Sequence, residues 1–366
     1  MSLDGLHQKL RILVVSLLLL LCTSNSYGLV VLQYHHISTL SPAATSISPA
    51  LFESHLRFLE EQGFTVLPIE RLSSMQQKTG KGWSNLPDKS IIITFDDGYR
   101  SIYQHAWPLL KRRGWPFTVF INSKPHDESN PLYMSWEQLR ELAKAGATVA
   151  NHSDSHPHFI RQREGESSKQ WQQRRLQEIT FAEQRIKKEI GKSVKMFAHP
   201  FGEYDSAMLE MLAAEGYLGF GQQSGPMAVS SHPQAIPRFP FGGAYGNAED
   251  FATKVYSLPF PQVKALAKDS FGRSLPQPEL PSGEVRPELT LNSPFFRFAG
   301  VVQCFASGQG SIPVEKRGSS IITRAERPLA VGRSRYNCTA HAGQSRYYWY
   351  SQLFIRRNTD GSWYAE

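Results

Sequence analysis

The sequence predicts an α/β fold in which parallel strands form a closed or distorted (β/α) barrel, followed by a small β-rich C-terminal module. Three observations support this: short continuous apolar runs, helical segments between them, and a change of character after residue 257. Continuous apolar runs are typical of strands buried on both faces, as in a parallel sheet. Their alternation with amphipathic segments from about Leu29 to Phe239 indicates repeated βα units.

Four of the apolar runs end abruptly in polar, titratable or metal-binding residues. These are residues 29–32 before Tyr34, His35 and His36; 91–95 before Asp96, Asp97 and Gly98; 147–150 before 151–156; and 196–198 before 199–202. Parallel strands present their carboxyl ends on one side of a sheet, and α/β enzymes keep their catalytic residues on that side. The pattern therefore predicts one active face, and we interpret the chain as a metal-dependent hydrolase.

The segments between these runs carry helix signals. Ser48 and Pro49 form a cap and first-turn pair, and Asp205 is a predicted N-cap of a helix that ends at Gly216. Between them, a run of apolar positions with helical spacing ends at Gly191. Strand and helix therefore alternate through this part of the chain.

The first 28 residues have the pattern of a secretory signal peptide. Lys9 and Arg11 precede an apolar stretch over 12–21, and small residues lead to Gly28. The apolar stretch is too short for a membrane span. We expect cleavage near Gly28, no stable membrane insertion, and export to the periplasm or the extracellular space.

The rest of the chain divides into a barrel over 29–257, a Pro-rich linker or wrap over 258–294, and a small β module over 295–366. Strands are expected over 295–302, 320–323 and 347–355. The aromatic run 347–350 suits either a sugar-stacking platform or a small β core with alternating rings.

Two cysteines follow the signal segment, Cys304 and Cys338, and in an exported chain they predict one disulfide. The net charge of +8 and pI near 9.3 would suit an anionic partner. However, the basic residues are scattered and no base-reading motif accompanies them, so nucleic acid is not an expected partner. The oligomeric state stays open.

Asp97, His152 and His156 have the chemistry of a catalytic Zn²⁺ site. One carboxylate and two neutral imidazoles leave coordination positions open for water and substrate. The adjacent Asp96 is a candidate to accept a proton from the attacking water, and Gly98 lets the backbone turn closely beneath the pair. An HxxxH spacing on its own is weak evidence for a metal site, but here the spacing directly follows a predicted buried strand.

Three motifs together resemble the polysaccharide deacetylase family, carbohydrate esterases that share the nodulation-factor deacetylase homology domain. They are residues 94–98 (TFDDG), 152–156 (HSDSH) and 200–202 (PFG). The resemblance covers roughly residues 29–251 and implies a distorted (β/α) barrel that removes N-acetyl, or sometimes O-acetyl, groups from sugar polymers with Zn²⁺ or a similar ion such as Co²⁺ or Ni²⁺. It implies Asp96 as the base and Asp97, His152 and His156 as ligands. The opening residues 33–36 and the extended tail resemble the exported branch that includes biofilm poly-N-acetylglucosamine deacetylases.

Two departures from the family pattern affect the expected site. Ala198 stands where the family's base-orienting Arg would fall, and Arg238 is a candidate to replace it, unless Arg238 is an ordinary surface or core-edge residue. The family's late Leu-x-His motif, the usual source of the general acid, is not evident. We select His35 as the acid, ahead of His36 and His199. Side chains alternate along a strand, so only one of His35 and His36 is expected at the barrel mouth.

The mechanistic hypothesis is attack of activated water on an acetamide carbonyl. Asp96 would take the proton, His35 would protonate the leaving amine, the backbone N–H of Phe201 would stabilise the oxyanion, and Tyr99 would contact substrate. Two alternatives stay open. One is a non-catalytic exopolysaccharide-binding protein on a degenerate barrel, and the other is an O-acetyl esterase of peptidoglycan or xylan.

Overall fold

The computed structural model describes residues 28–40, 42–76, 83–84 and 86–365. Apart from Gly28, the predicted signal peptide lies outside the described residues. The strands of the N-terminal part are β1 (Val30–Tyr34), β2 (His36–Ile37), β3 (Ser46–Ile47), β4 (Thr65–Val66), β5 (Ser90–Phe95), β6 (Thr118–Ile121), β7 (Thr148–Asn151), β8 (Met196–Ala198), β9 (Leu218–Phe220) and β10 (Phe239–Pro240).

Helices lie between most of these strands. They are α1 (Pro49–Glu61), α2 (Arg71–Met75), α3 (Trp107–Arg113, preceded by a π-helical turn over Ile102–Ala106), α4 (Ser123–Asp127), α5 (Trp136–Lys144), α6 (Ser168–Ile190), α7 (Ser206–Ala214) and α8 (Ala248–Val255). Within the described ranges, no helix combines the length and the apolar character that crossing a bilayer requires.

The predicted parallel barrel is confirmed. Its strands pair in the order β10-β1-β5-β6-β7-β8-β9, with β4 added beside β5, and every pairing is parallel. All residues of β1 and β5 are buried, as expected for strands covered on both faces. The two edges of the sheet approach each other where Ile236 bridges to Phe220 and the N–H of Arg238 donates to the Gln223 carbonyl at 3.1 Å. Because the edges meet here, Arg238, which directly precedes β10, lies buried inside the barrel.

The predicted helix boundaries follow the cap chemistry. Ser48 accepts a hydrogen bond from the Leu51 N–H at the start of α1, and Asp205 accepts one from the Met208 N–H at the start of α7. Helix α6 ends at Gly191, which adopts a left-handed conformation. These ends agree with the sequence because capping depends on neighbouring residues alone.

The C-terminal part consists of two sheets. Its strands are β11 (Leu258–Pro259), β12 (Lys264–Lys268), β13 (Glu288–Asn292), β14 (Val302–Ala306), β15 (Gly310–Ile312), β16 (Val314–Arg317), β17 (Ser320–Arg324), β18 (Gly332–Gly343) and β19 (Arg346–Arg356). One sheet has the order β11-β19-β18-β14-β15 and the other β12-β13-β17-β16. The expected disulfide is present: Cys304 and Cys338 lie directly opposite each other on β14 and β18.

The segment 258–294 differs from the expected linker or wrap. It contributes β11, β12 and β13 to the two sheets, so it is part of the module. Leu289 and Leu291 alternate with polar residues along β13 and are fully buried, a strand pattern that the surrounding prolines obscured. The strand expected over 295–302 is also wrong in its extent, because a 3₁₀ turn occupies Pro294–Arg297 and β14 begins at Val302.

The aromatic run at the start of β19 packs inward in part. The ring of Tyr348 lies against Phe260 and Phe295, whereas the ring of Trp349 meets Phe239 of the barrel edge-on at 5.2 Å between centroids. This strand therefore joins the module to the barrel.

Candidate metal centre

Asp97, His152 and His156 converge at the carboxyl ends of β5 and β7. The Asp97 Oδ1 atom lies 3.4 Å from His152 Nε2 and 3.7 Å from His156 Nε2. One ligand atom from each residue lies within 4.8 Å of the other two. The expected juxtaposition is thus present, although 55 residues or more separate the aspartate from the histidines.

Hydrogen bonds and burial prepare both imidazoles for coordination. His152 Nδ1 lies 2.8 Å from the Ala198 carbonyl, so Nδ1–H donates there, and Nε2 is the ring atom that faces Asp97. Burial, reinforced by the neighbouring His152, lowers the pKa of His156 to about 4, which keeps this imidazole neutral near pH 7. Burial alone would raise the pKa of Asp97, but the surrounding imidazoles outweigh it, and the carboxyl is ionised.

The donor set fits a divalent cation. Bonds of about 2.0–2.2 Å to Zn²⁺ place neighbouring ligand atoms roughly 3–3.5 Å apart, close to the separations of the Asp97 and histidine atoms. Three protein ligands leave coordination positions for water and substrate. Asp97, His152 and His156 are therefore the residues that would hold such an ion.

Four residues of this region have positive φ angles without being glycine. They are Asp97 (70°), Ser153 (75°), His156 (56°) and Phe201 (58°). Each costs conformational energy that the surrounding structure must offset, and such residues concentrate at functional sites. The HxxxH segment is a tight loop in which the His156 N–H donates to Ser153 Oγ at 2.9 Å.

Gly98 fills a position that no other residue fits. Its φ is 81°, and a Cβ there would lie 2.7 Å from His126 Nε2 and 2.8 Å from Ile121 Cγ2. We expect Gly98→Ala to lower the free energy of unfolding by about 3 kcal/mol, because left-handed strain and overpacking add. Urea denaturation measures the loss. Gly63→Ala is the matched control, since Gly63 has φ 68° and an alanine Cβ there would have no described atom within 4 Å. Equal losses in the two variants would contradict the packing argument.

Asp96 is held by a forked ion pair with Arg238. The two guanidinium nitrogens of Arg238 donate to the two carboxylate oxygens at 2.7 Å each, and both side chains are fully buried. Gln33 Nε2 donates a further hydrogen bond to Asp96 Oδ2 at 2.6 Å. Burial alone would raise the pKa of Asp96, but Arg238 outweighs it and the net shift is downward, so the carboxylate is ionised. Arg238 thus lies where it can orient the base candidate.

The remaining predicted residues lie around this centre. His35 falls between β1 and β2, where the strand is interrupted. His35 and His36 are both half-buried and both interact electrostatically with Asp97. The ring of Tyr99 stacks on His36 with centroids 3.5 Å apart, and burial together with Asp97 raises the pKa of Tyr99.

His199 lies in the protein interior. It is fully buried, its Nε2 lies 2.8 Å from the Gln234 carbonyl, and burial lowers its pKa to about 4. A fully buried imidazole cannot reach a bound sugar, so His199 is disfavoured as the general acid.

Phe201 connects the metal-site loop to the C-terminal module. Its ring stacks on His158 at 3.8 Å and meets His156 at 4.4 Å. The buried Glu203 accepts hydrogen bonds from His158 Nδ1 at 2.8 Å, from Arg333 of β18 at 2.9 Å, and from the Tyr364 hydroxyl. The module therefore packs against the loop that carries the third motif.

Sequence reasoning missed Gln33 and Glu203. Gln33 is the polar residue inside the buried β1 strand, and that mismatch was a usable signal. Glu203 directly follows the third motif, but nothing in the sequence indicated partners 130 and 161 residues away.

The fold and these residues define an α/β-barrel protein with a candidate metal centre at the carboxyl ends of its strands. Residues 84–220 match the family model described as polysaccharide deacetylase. The resemblance to polysaccharide deacetylases expected from the motifs is therefore confirmed over these residues.

Curated relatives carry related names. The poly-beta-1,6-N-acetyl-D-glucosamine N-deacetylase of Staphylococcus aureus (strain MRSA252) is 27% identical over 198 residues, 53% of this chain and 67% of that protein. The protein of the same name from Escherichia coli (strain K12) is 24% identical over 249 residues, 58% of this chain. That match spans only 36% of the Escherichia coli protein.

Solved structures share the fold. IcaB from Ammonifex degensii superposes with a TM-score of 0.53 at 23% identity, covering 63% of this chain and 97% of that one. The Streptococcus pyogenes deacetylase PplD, solved in complex with acetate, gives a TM-score of 0.55 at 20% identity, covering 63% and 99%. Both matches leave more than a third of this chain uncovered.

Proposed function

We propose that this protein is a metal-dependent hydrolase that removes N-acetyl groups from an N-acetylglucosamine-containing polysaccharide and releases acetate. The observation that carries the proposal is the Asp96–Arg238 pair next to the cluster of Asp97, His152 and His156. A fixed carboxylate beside a cation site is what activation of water for amide hydrolysis requires. The names of the relatives support the substrate class.

Asp97, His152 and His156 are the ligands in this proposal, and Zn²⁺ suits their chemistry, with Co²⁺ or Ni²⁺ as substitutes. The bound cation would supply Lewis-acid activation of water and of the acetamide carbonyl. Burial of His152 and the hydrogen bond from its Nδ1 to Ala198 hold the ligand atoms ready for an ion.

Asp96 accepts the proton as the water oxygen bonds to the acetamide carbon. Arg238 and Gln33 fix both carboxylate oxygens, so Asp96 needs no reorganisation during the step. The Phe201 N–H donates to the developing oxyanion, and Tyr99 contacts the sugar. His35 protonates the nitrogen as the C–N bond breaks, giving acetate and a glucosamine unit.

Acetate release from N-acetylglucosamine oligomers tests the proposal. The purified chain should release acetate, a strong chelator should reduce release to background, and added Zn²⁺ should restore it. A chain that contains stoichiometric metal yet releases no acetate would favour a binding protein, and release from O-acetylated xylan alone would favour an ester substrate.

His152→Ala should lower the bound metal per chain to a small fraction of the wild-type value, because it removes one of three ligands. Elemental analysis after dialysis measures this. His341→Ala is the matched control, since His341 is an exposed histidine on β18. Unchanged metal content in His152→Ala would refute the ligand assignment.

Export to the periplasm or the extracellular space completes the proposal. The signal-like pattern of the first 28 residues supports it, as does the disulfide between Cys304 and Cys338.

A further inference from the structure

The buried Glu203 joins the C-terminal module to the barrel loop that carries His158. Its Oε2 atom accepts a hydrogen bond from His158 Nδ1 at 2.8 Å. Its Oε1 atom accepts hydrogen bonds from Arg333 Nη1 at 2.9 Å and from the Tyr364 hydroxyl. Arg333 Nη1 also donates to that hydroxyl at 3.2 Å. One carboxylate therefore holds groups of the barrel and of the module together, with both of its oxygens paired.

Phe201 lies between this network and the candidate ligand His156. The Phe201 ring is parallel to the His158 ring, with centroids 3.8 Å apart and 5° between the planes. It also contacts the His156 ring edge-on, with centroids 4.4 Å apart. Arg333 Cζ lies 5.3 Å from the Phe201 centroid, within the range of a cation–π contact. Arg333 thus contacts Phe201 directly, and Phe201 contacts the ligand.

The backbone at these positions needs support from its surroundings. Phe201 has a φ of 58° and His156 has a φ of 56°. The left-handed region costs a residue with a Cβ about 1–2 kcal/mol, so it persists only where other contacts hold it. Relaxation of Phe201 to a negative φ would turn its N–H and move its ring away from His156. The contacts that Arg333 and His158 make with the Phe201 ring oppose that relaxation.

The end of the chain holds a second part of the same barrel loop. Arg161 Nη1 donates to the Tyr364 carbonyl at 3.0 Å, and its guanidinium lies 4.5 Å from the centroid of the Tyr364 ring. Tyr364 packs on a buried cluster in which Ile160 of the barrel meets Leu353 and Ile355 of β19. The module is thus fixed directly on the loop that follows the second histidine ligand.

We infer that Arg333 and Tyr364 of the C-terminal module are positioning residues for the metal centre. Through Glu203 and Phe201 they hold the His156 ring and the Phe201 N–H in place. The inference rests on the proposed function, in which His156 binds the cation and the Phe201 N–H donates to the oxyanion. Misplacement of such groups by about 1 Å can cost on the order of 10²-fold in rate. The module therefore contributes to the geometry of the hydrolytic site, although Arg333 and Tyr364 act through other residues.

Arg333→Met should lower kcat for N-acetylglucosamine oligomers about tenfold and leave KM nearly unchanged, because the oxyanion contact forms in the transition state. Arg333→Lys should regain most of the rate, since its ammonium group can still donate to Glu203. Arg324→Met is the matched control. It removes a partly exposed guanidinium that pairs with Glu288 in the other sheet of the module, and it should leave kcat at the wild-type value.

The metal-free protein supplies a readout that does not depend on turnover. The ring current of Phe201 shifts the resonances of the adjacent His156 ring protons, so these resonances report how the two rings are placed. The His156 Hε1 resonance, assigned by its absence in His156→Ala, should move in Arg333→Met. It should return towards the wild-type position in Arg333→Lys and stay fixed in Arg324→Met.

If Arg333→Met does not fold, Tyr364→Phe takes its place, because it removes only the hydroxyl bonded to Glu203. It should move the same His156 resonance and lower kcat about threefold. Where the wild-type chain is active, an unchanged kcat or a fixed resonance in these variants would overturn the inference. If no saccharide yields acetate but the resonance moves as expected, the proposed hydrolysis is wrong and the positioning of His156 by the module stands.

Discussion

Asp96→Asn should slow acetate release by about 10³-fold or more while leaving the divalent cation bound. Asparagine has nearly the same shape but cannot accept the proton, and Asp96 is not one of the three clustered ligands. Its amide also presents a donor to the Arg238 guanidinium, where the carboxylate accepted two hydrogen bonds. Initial rates on N-acetylglucosamine oligomers and elemental analysis of the same preparation measure both effects.

Asp154→Asn serves as the matched control for this prediction. Asp154 lies within the HxxxH loop and accepts a hydrogen bond from Ser123 Oγ, but it is not one of the clustered ligands. Its substitution should change the rate only slightly. Metal loss in Asp96→Asn, or a rate close to wild type, would remove Asp96 from the role of base.

Arg238→Met should lower the free energy of unfolding by about 3–5 kcal/mol, because it leaves the Asp96 carboxylate buried without its counter-charge. Both side chains are fully buried, and Arg238 also donates from Nε to the Gly221 carbonyl at 2.9 Å. The rate of acetate release should fall at least about 10²-fold, since the carboxylate loses its fixed orientation. Urea denaturation and initial rates measure the two losses.

Two further variants test whether the unpaired buried charge causes the loss of stability. The double variant Asp96→Asn with Arg238→Met should regain a large part of the lost stability, since no buried charge remains unpaired. Arg112→Met breaks an exposed ion pair with Glu53 and should cost less than about 1 kcal/mol. Additive losses in the double variant would show that the pair is not energetically coupled.

The clustering of the candidate metal ligands could be predicted from the sequence because each follows a buried strand of a parallel sheet. Chain direction alone places the residues after β5 and β7 at the same edge, whatever the loops do. The approach of Asp97 to both histidines follows from that rule together with the tight loop 152–156.

The residues that contact Asp96 were harder to predict from the sequence. Arg238 was a candidate because Ala198 stands where the family has its arginine. However, 142 residues separate Arg238 from Asp96, and only closure of the barrel edges at Ile236 and Phe220 brings its side chain inward. Gln33 was visible as a polar residue in an apolar strand, yet its partner depended on the pairing of β1 with β5. The linker prediction failed because prolines masked the alternation of β13.

The sequence by itself predicted the strands and helices of the barrel, the three residues that cluster as candidate metal ligands, and the resemblance to polysaccharide deacetylases. Strand burial, helix caps and motif spacing are properties of neighbouring residues, so they can be read locally. Only the tertiary structure decided that Arg238 holds Asp96 and that β18 and Tyr364 reach Glu203. Those contacts depend on how distant segments pack in three dimensions, and no local pattern encodes that packing.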